Sequence, residues 1–335
     1  MKGNVPMPVR TAEDFQSETS RFRTELLLHC YQMLGSVHDA EDQVQETMLR
    51  AWRAFDRFDH RRASMRTWLH RIATNACLTA LEHRARRPLP SGLAERGLDP
   101  EGPLIHGGDT VWLQPLPDAR LGAGQGDPAA VLLGKGRVRL ALVAAMQLLP
   151  ARQRAALILR EVLDWPVPEI AQVLETSTAA VNSALQRARA RLAEVGIDEG
   201  EITEPADPQR RALLDQYIEA FERADVPGLA KLLTEDALLE MPPYLNWYLG
   251  RDDYAGFIAR VFDRRGTRWR MTPLAANGQL GVAAYLCAEG DEVHRLHTIQ
   301  LFSFTEAGVS RNVTFAEPEV FALFDIPQAL EMESR

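Results

Sequence analysis

Residues 38–87 read HDAEDQVQETMLRAWRAFDRFDHRRASMRTWLHRIATNACLTALEHRARR, and this stretch decides the fold of the first part of the chain. Its first half repeats apolar residues at helical spacing with acidic residues between them, which predicts an amphipathic helix with an anionic exposed face. The apolar stripe is predicted to comprise Ala40, Val44, Met48, Ala51, Trp52 and Phe55. The exposed face is predicted to carry Asp39, Glu41, Asp42, Gln45 and Glu46.

The charge reverses in the second half of this stretch. From Arg50 to Arg87, ten arginines stand against three acidic residues, with Trp68 among them. Guanidinium groups beside an aromatic ring suit a phosphate backbone and unstacked bases. This half is therefore predicted to bind nucleic acid. The alternative is a solvated helical hairpin whose charges only keep it soluble.

The motifs DAEDQVQE, RAW and TWLHRIATN and the basic ending HRARR resemble the second conserved region of bacterial sigma factors, in the extracytoplasmic-function group of the sigma-70 family. This resemblance implies that the anionic helix face binds the clamp of core RNA polymerase, since such a face needs a cationic partner. It implies that the next helix meets the melted downstream promoter element. The implied polymerase-binding residues are Asp42, Gln45, Glu46 and Leu49, and the implied downstream-promoter residues are Trp68, Arg71, Asn75, Arg84, Arg86 and Arg87.

Composition limits the remaining choices. The chain has 335 residues, enough for two or three domains of about 100 to 150 residues. Its 46 acidic and 38 basic residues give a net charge of -8, so any nucleic-acid binding must be local. Cys30, Cys77 and Cys287 fit a reducing cytoplasm and offer no disulfide framework or zinc spacing. No apolar run reaches membrane-spanning length and the N-terminus lacks a signal-peptide core, so we expect a cytoplasmic protein without a membrane partner.

Residues 11–87 are predicted to form a small all-helical domain. A helical pattern runs from Thr11 to Leu34 and ends at Gly35. The anionic helix follows, then a turn near Asp59, then the helix that carries Trp68.

Residues 88–128 are predicted to be an acidic linker, because closely spaced prolines and glycines break any periodic pattern. In the sigma factors that the chain resembles, the corresponding connector threads through polymerase channels, where an acidic chain could imitate RNA. A plain solvated tether is the alternative. Within this linker, Trp112, Leu113 and Leu116 are apolar, so we expect the segment VWLQPLPD to rest on a protein surface.

Residues 129–195 are predicted to be a second helical domain with a helix-turn-helix. Pro150 and Pro168 begin successive helices, and a short turn at 175–177 precedes a helix that starts at Thr178. The second helix of such a motif enters the major groove of DNA.

The motifs LPARQRAALILREV and EIAQVL resemble the fourth conserved region of the same sigma group, which reads the upstream promoter element. The implied upstream-promoter residues are Thr178, Asn182, Ser183, Gln186, Arg187, Arg189 and Arg191. The group commonly has basic residues where this chain has Asn182 and Ala184, so the resemblance does not specify the base preference. Asn182 can pair bidentately with adenine, and the arginines suit backbone phosphates.

An acidic, breaker-rich second linker is predicted at 196–206, followed by an α+β domain at 207–330. Helices come first, and a meander of strands follows with one helix, Arg251 to Phe262, inserted. The predicted strands are 237–241, 268–276, 282–288, 294–304 and 309–315.

The stretches MPPYLNWYLGRDDYAGFIARVF and ANGQLGVAAY resemble the SnoaL-like polyketide-cyclase cone, which some sigma factors carry as a C-terminal extension. Such cones hold an apolar pocket, whose candidate lining here is Met241, Tyr244, Trp247, Tyr248, Phe257 and Tyr285. The alternative is that these side chains are simply core. A cyclase needs a buried acid–base group such as Asp236, His294 or His297, but two histidines three apart on a strand face opposite sides. We therefore expect no catalytic residue, metal or cofactor.

The predicted fold is multi-domain: two all-α sigma domains, the second with a helix-turn-helix, and a C-terminal α+β SnoaL-like cone. The predicted function is that of a non-enzymatic sigma factor that binds core RNA polymerase, recognises promoter DNA and helps to melt it, with the cone modulating its activity. An anti-sigma factor or a small ligand of the cone is a further candidate partner. The alternative is a DNA-binding regulator with a ligand-sensing or cyclase-like C-terminal domain that does not engage polymerase.

Overall fold

The computed structural model describes residues 11–82, 86–97, 99–121, 138–194 and 207–331. The chain divides into two compact units. The N-terminal unit contains Met1–Ala85 and Leu121–Gly196, and the C-terminal unit contains Arg86–Arg120 and Ile197–Arg335. The predicted domain boundary at 128/129 and the predicted linker at 196–206 lie outside the described residues.

The first helices of the N-terminal unit begin and end at local capping signals. Thr11 forms a capping box in which the Asp14 N–H donates to Thr11 Oγ1 at 3.2 Å. Gly35 ends the second helix with a φ of 68°, a left-handed conformation that glycine adopts without Cβ strain. Ser36 and Ser64 cap the next two helices through their hydroxyl groups. The bounds are α1 Ala12–Thr19, α2 Arg23–Leu34, α3 Val37–Ala54 and α4 Met65–Leu81.

Two details of these helices differ from the sequence predictions. A 3₁₀ turn at Ser20–Phe22 interrupts the helix predicted from Thr11 to Leu34. The prediction that Trp52 is buried is wrong, because its side chain is 41% exposed and lies edge-on to Phe15, with ring centroids 5.4 Å apart. Ala51 is fully buried, and the next residue points about 100° further around the helix, at the rim of the apolar stripe.

The second part of the N-terminal unit contains the predicted helix-turn-helix. Pro150 caps one helix, which continues into a π-helical turn at Ile158–Val162. The helix-turn-helix itself consists of the helices Val167–Val173 and Thr178–Glu194, whose inward residues Ile170, Val181 and Leu185 are buried. The bounds are α5 Leu140–Met146, α6 Ala151–Leu157, α7 Val167–Val173 and α8 Thr178–Glu194.

An aromatic anchor joins the two parts of the N-terminal unit. Trp165, just before α7, is fully buried, and its ring lies 4.9 Å from the ring of His70 on α4. The guanidinium carbon of Arg66 lies 4.7 Å from the ring centroid of Trp165, and Arg66 also pairs with Glu25 at 2.5 Å. Arg66 thus makes both a cation–π contact with Trp165 and an ion pair with Glu25.

A buried arginine makes the second junction. Arg154 on α6 is 3% exposed and donates to the carbonyl of Met33 at the end of α2 and, at 2.7 Å, to Gln147 Oε1. Gln147 Nε2 donates to the carbonyl of Gln32 at 3.1 Å. Because buried polar groups are costly to leave unpaired, these contacts favour the packed arrangement of α2 and α6.

The C-terminal unit is an α+β cone whose main core lies between the sheet and the first three helices of the unit. Aromatic side chains dominate that core, among them Tyr217, Phe221, Phe262, Trp269 and Phe302. The helices are α9 Asp207–Glu222, α10 Val226–Leu232, α11 Arg251–Arg265 and α12 Pro318–Phe321. The strands are β1 Leu233–Glu240, β2 Trp247–Leu249, β3 Trp269–Ala276, β4 Gln279–Leu286, β5 Val293–Thr305, β6 Gly308–Phe315 and β7 Ala329–Glu331.

The sheet is not the simple meander that the strand order predicted. Within the described residues it has seven strands, in the order β2-β1-β6-β5-β4-β3, with β7 paired to β5. Strands β3 to β6 pair antiparallel with their chain neighbours, but β1 pairs parallel with β6. Helix α11 lies in the chain between β2 and β3, the first and last strands of this order. Sequence periodicity detected neither β2, β7 nor α12.

Arg86–Arg120, which we call the strap, covers most of the predicted linker and belongs to the C-terminal unit. Near its start, the Ser91 N–H donates to Glu240 Oε1 at 2.9 Å. Near its end, the Leu116 N–H donates to Asn277 Oδ1 at 2.8 Å, and the Asn277 N–H donates back to the Leu116 carbonyl at 2.9 Å. Hydrogen bonds thus attach the strap to β1 and to the β3–β4 turn.

The middle of the strap is held by an arginine and by apolar burial. Arg260 on α11 donates to the carbonyls of Pro100 and Gly102 at 2.7 and 2.6 Å. Trp112, Leu113 and Leu116, which the sequence predicted to rest on a surface, are buried. The strap therefore packs on the cone along its length and is not a solvated tether.

Candidate nucleic-acid interface

An open pocket of about 410 Å³ lies in the N-terminal unit, where the turn before α4 meets α4 and α7. We call it the arginine pocket. It is lined by Arg57, Phe58, Asp59, Arg62, Ala63, Thr67, Trp68, Arg71 and Gln172.

Three arginines line this pocket, and the charge of one of them, Arg62, contributes to the lowered pKa of Asp59. In the part of the chain that the structure describes, no carboxylate lies within ion-pair distance of Arg57, Arg62 or Arg71. Their neighbours differ, because Arg61 lies 3.4 Å from an Asp59 carboxylate oxygen and Arg66 pairs with Glu25. Guanidinium groups match phosphate oxygens in charge and geometry. The pocket can therefore attract a phosphate.

Among the described residues that line the pocket, Asp59 is the one acid, and it is already hydrogen-bonded. The Arg61 N–H donates to Asp59 Oδ1 at 2.9 Å, and this hydrogen bond is the main cause of the lowered pKa of Asp59. The carboxylate therefore stays ionised and fixes the turn that presents Arg62.

Trp68 forms the aromatic wall of the pocket. Its ring stacks on Phe58, with centroids 4.6 Å apart and planes 26° from parallel. Phe58 is buried and also meets His60 edge-on at 4.6 Å. Because Phe58 covers one face of the indole, the other face is the one that can meet a ligand. An unstacked base fits such a surface.

The predicted downstream-promoter residues of α4 share one face. Trp68, Arg71 and Asn75 lie at i, i+3 and i+7, and Arg71 and Asn75 are exposed. Arg71 lines the arginine pocket, and Asn75 does not. The structure thus gathers Trp68 and Arg71 at one site and leaves Asn75 one turn further along α4.

The arginines of the basic ending HRARR that the structure describes, Arg86 and Arg87, do not line the arginine pocket. Arg84 lies outside the described residues. Arg86 and Arg87 belong to the C-terminal unit, where Arg86 is exposed and Arg87 donates to the carbonyl of Trp112 at 3.2 Å. Arg87 therefore holds the strap rather than standing unpaired.

The predicted polymerase-binding residues form one face of α3. Asp42 and Gln45 are exposed, and Leu49 is 43% exposed, which is unusual for a leucine. Glu46 pairs with Arg50 at 2.6 Å across one helical turn. The result is an anionic face with an apolar residue at its end.

The predicted upstream-promoter residues lie on α8. Thr178, Asn182 and Gln186 are exposed at successive helical turns, and Ser183 is half-buried. Each arginine of α8 is exposed but has a polar partner. The three pairs are Arg187 with Ser183 Oγ at 2.6 Å, Arg189 with Glu161, and Arg191 with Glu194 at 2.7 Å.

Comparison with known families gives three matches along the chain. The family described as Sigma-70 region 2 matches residues 10–87, Sigma-70 region 4 matches 139–192, and the SnoaL-like domain matches 214–311. The extracytoplasmic-function (ECF) RNA polymerase sigma factor SigG of Mycobacterium tuberculosis is 45% identical over 319 residues, which cover 95% of this chain and 85% of SigG. The chain belongs to the ECF RNA polymerase sigma factors.

Two further comparisons concern the sigma factor SigJ of M. tuberculosis. Its sequence is 29% identical over 277 residues, which cover 79% of each chain. Its crystal structure superposes with a TM-score of 0.64 at 22% identity, covering 93% of this chain and 99% of SigJ. The predicted fold class, two sigma domains and a SnoaL-like cone, is confirmed. This sigma factor thus belongs to a family of transcription factors rather than enzymes.

Among the described residues, none of the helices combines the length and apolarity that a bilayer crossing requires.

The residues predicted to line a pocket in the cone of this sigma factor do not form one group. Met241, Tyr248 and Phe257 belong to the hydrophobic core, and the rings of Tyr248 and Phe257 stack with centroids 5.3 Å apart. Tyr285 is absent from that core cluster and donates its hydroxyl to the carbonyl of Pro327 at 2.9 Å.

The strap contacts the remaining members of that set. Trp247 Nε1 donates to the carbonyl of Ala94 at 2.9 Å, and the ring of Tyr244 lies 6.0 Å from His106. Gly97 lies so close to Tyr248 that an added Cβ would be 2.9 Å from ring carbon Cε1. The cone surface at these aromatic residues is therefore occupied by the chain itself.

The groups considered for catalysis are not gathered either. Asp236 is exposed on β1. His297 packs edge-on to Trp269 at 5.3 Å, whereas His294 pairs with Leu330 of β7. Burial lowers the pKa of both histidines. Among the described residues, no group of three His, Cys, Asp or Glu side chains is placed to hold a metal.

Of the nine described residues that line the arginine pocket, sequence reasoning assigned only Trp68 and Arg71 to the site. Arg57, Phe58 and Arg62 lie in the turn before α4, where helical spacing carries no information about which side chains converge. Gln172 belongs to the other sigma region, so only the packing of α7 beside α4 brings it there.

Proposed function

We propose that this sigma factor directs core RNA polymerase to promoter DNA and helps to melt it, with the C-terminal unit modulating that activity. RNA polymerase acts on the bacterial chromosome, so we place the protein in the cytoplasm. In this proposal α3 binds the polymerase clamp, α8 binds upstream duplex DNA, and the arginine pocket binds the melted downstream strand.

The arginine pocket is the observation that carries the proposal. Among the described residues, three arginines with no carboxylate within ion-pair distance surround an aromatic face at Trp68, within residues 10–87 that match Sigma-70 region 2. Phosphates of a single strand can bind the guanidinium groups while one unstacked base lies against the indole. A duplex keeps its bases stacked inside, so this geometry favours melted DNA.

The face of α3 supports the polymerase contact. Asp42, Gln45 and Leu49 are accessible, and the negative charges of Asp42 and Glu46 would complement a cationic partner. The neighbouring Trp52, 41% exposed, extends the apolar end of this face. Aromatic side chains are frequent anchors in protein interfaces, so Trp52 joins the four predicted residues as a candidate contact.

The exposed side of α8 supports the upstream contact. Asn182 is exposed and can read one base edge, whereas Arg187 and Arg191 are suited to phosphates. Phosphate binding would require Arg189 and Arg191 to leave their carboxylate partners. Because exposed ion pairs are weak, this exchange costs little.

The strap supports modulation by the cone. It is the chain segment that follows the first sigma domain, and it is hydrogen-bonded to β1, α11 and the β3–β4 turn. Any partner that changes how the cone holds the strap would change the connection between the sigma domains. A small ligand of the cone and an anti-sigma factor are the candidate partners for such a change.

Transcription with purified core polymerase tests the proposal. We expect the protein to produce discrete start sites on fragmented genomic DNA, mapped by sequencing the transcripts. The double variant Asp42→Lys/Glu46→Lys should abolish copurification with core polymerase and the transcripts, while helical content stays unchanged. Absence of core binding by the natural protein would instead favour the DNA-binding regulator that does not engage polymerase.

A closely matched control for this double variant exists on α9. Asp215 and Glu219 are also exposed and four residues apart, and Glu219 pairs with Arg223 at 2.7 Å as Glu46 pairs with Arg50. The variant Asp215→Lys/Glu219→Lys should keep core binding. Equal loss in both double variants would show that the effect is a general response to charge reversal.

Binding of a single-stranded oligonucleotide that carries the mapped downstream element tests the pocket. Trp68→Ala and Arg71→Ala in the holoenzyme should each weaken binding about tenfold, measured by fluorescence anisotropy. Arg53→Ala is the control, because Arg53 is exposed on α3 and does not line the pocket. Unchanged binding in both pocket variants would remove the pocket from the proposed function.

A further inference from the structure

The arginine pocket is built from both sigma regions. Of the nine described lining residues, eight lie from Arg57 to Arg71, and the ninth, Gln172, lies on α7 of the helix-turn-helix. The Gln172 side chain is exposed, and within the described residues its amide has no hydrogen-bond partner. A pocket that binds only a DNA strand has no evident need for an amide from the other region.

The chemistry of the lining matches the parts of one nucleotide. A volume of about 410 Å³ lies in the range of small-molecule pockets. Arg57, Arg62 and Arg71 suit a phosphate, and the free face of Trp68 suits a base. The Gln172 amide has both donors and an acceptor, which suits the edge of a base. The Asp59 carboxylate, a poor neighbour for phosphate, can accept from a ribose hydroxyl or a base amino group.

We propose that the arginine pocket binds a free nucleoside 5′-phosphate, which joins the two sigma regions by contacting α4 and α7 together. This inference rests on the proposed function, because the same arginines and Trp68 are proposed to meet the melted strand. Beyond that function, it assigns a small-molecule ligand and a role for Gln172.

The packing of the N-terminal unit gives the bound nucleotide a regulatory consequence. Trp165 already holds the segment before α7 against Arg66 and His70 of α4. A ligand that touches both regions binds best to this packed arrangement and therefore stabilises it. The same ligand occupies the surface that the melted strand needs. A free nucleotide would thus compete with promoter binding.

Calorimetric titration of the full-length protein tests the site. The probes are the four nucleoside 5′-monophosphates, the corresponding nucleosides, and inorganic phosphate. We expect at least one monophosphate to bind about tenfold or more tightly than both its nucleoside and phosphate, because the pocket recognises both parts. Arg71→Ala should weaken that binding about tenfold, and Gln172→Ala about three- to tenfold.

Gln186→Ala supplies the matched control. Gln186 is also an exposed glutamine of the helix-turn-helix, but it does not line the pocket. We expect its substitution to leave the monophosphate affinity unchanged. A second readout is hydrogen exchange, in which the preferred monophosphate should slow exchange in α7 of the natural protein and not of Gln172→Ala.

The outcomes separate this inference from the proposed function. No monophosphate binding above that of phosphate, or equal binding by Gln172→Ala and the natural protein, would overturn the nucleotide site. If single-stranded promoter binding still depends on Trp68 and Arg71, the proposed function stands without it. If oligonucleotide and monophosphate binding are both indifferent to these residues, both proposals fail.

Discussion

Arginine has opposite uses in two places: where the cone of the C-terminal unit holds the strap, and in the arginine pocket of the N-terminal unit. In the C-terminal unit, Arg260 is 6% exposed and donates to two strap carbonyls, and Arg311 Nε donates to the buried Glu240 at 2.9 Å. In the N-terminal unit, the described structure shows no carboxylate within ion-pair distance of Arg57, Arg62 or Arg71, and all three line an open pocket.

This difference separates structural arginines from binding arginines. A paired, buried guanidinium is costly to remove because its partners are left without a donor. An exposed and unpaired guanidinium contributes little to folding but is available to a phosphate. Substitutions should therefore lower stability in the C-terminal unit and lower binding in the arginine pocket.

The largest effect should follow from breaking the buried pair. Glu240→Ala leaves Arg311, whose side chain is 20% exposed, without its carboxylate, and leaves the Ser91 N–H without an acceptor. We expect the free energy of unfolding of the C-terminal unit to fall by about 3 to 5 kcal/mol in urea unfolding. Glu240→Gln keeps an acceptor and should cost less. Arg62→Ala should change stability by under about 0.5 kcal/mol, and a larger loss there would contradict the comparison.

Acid should affect the N-terminal unit through its histidines, which are uncharged when buried. Burial lowers the pKa of His70 from 6.5 to about 3, and lowers that of His29 in the same direction. As pH falls below 6.5 the unfolded chain takes up protons before the folded one, so stability present above pH 6.5 is lost progressively down to about pH 3.

For His70 alone this loss is about 2 kcal/mol at pH 5. Urea unfolding at about pH 7.5, 6 and 5 measures it, and His70→Gln should flatten the pH dependence by up to one proton. An unchanged slope in that variant would show that His70 is not the titrating group.

A smaller loss of stability should follow from a steric clash between the strap and the cone. In Gly97→Ala the new Cβ would lie 2.9 Å from Tyr248 Cε1 and 3.1 Å from the Trp247 carbonyl oxygen. We expect roughly 1 to 2 kcal/mol of lost stability and faster proteolysis within the strap. Gly92→Ala is the control, since nothing lies within 4 Å of the position that its methyl group would take. Equal proteolysis of both variants would show that Gly97 does not hold the strap.

The smallest effect should come from converting a paired arginine into an unpaired one. Glu161→Gln removes the carboxylate that pairs with Arg189 on α8. Exposed ion pairs are worth about 0.2 to 1 kcal/mol, so upstream promoter DNA should bind about two- to threefold more tightly. Filter binding at two salt concentrations measures this change, and the gain should shrink at the higher salt. Weaker binding would mean that Glu161 positions Arg189 for DNA.

Much of the fold could be predicted from local patterns. Periodicity and caps located α2, α3, α4 and the helix-turn-helix, because each helix buries one stripe of its own residues. The strands β3 to β6 were also detectable from local patterns, because each strand buries residues of its own sequence run. Local patterns could not show that β1 pairs parallel with β6, since that pairing joins residues about 70 positions apart. They placed Trp52 on the wrong side because it lies at the edge of its stripe.

The sequence by itself determined most of the helices, the charge reversal within 38–87, the helix-turn-helix and the family. These features depend on short-range spacing and on side-chain chemistry, which every copy of the chain carries before it folds. It also marked Trp112, Leu113 and Leu116 as residues that need a surface.

The tertiary structure alone decided which charged side chains meet a partner of opposite charge. Arg57, Arg62, Arg66 and Arg71 look alike in the sequence, yet among these four in the described structure only Arg66 meets a carboxylate, that of Glu25 from a different helix. Gln172 reaches the arginine pocket from a helix about 100 residues away, and the strap lies on the cone through contacts that join residues over 140 positions apart. Hydrogen bonds and ion pairs require specific distances, and only the packing of distant segments sets those distances.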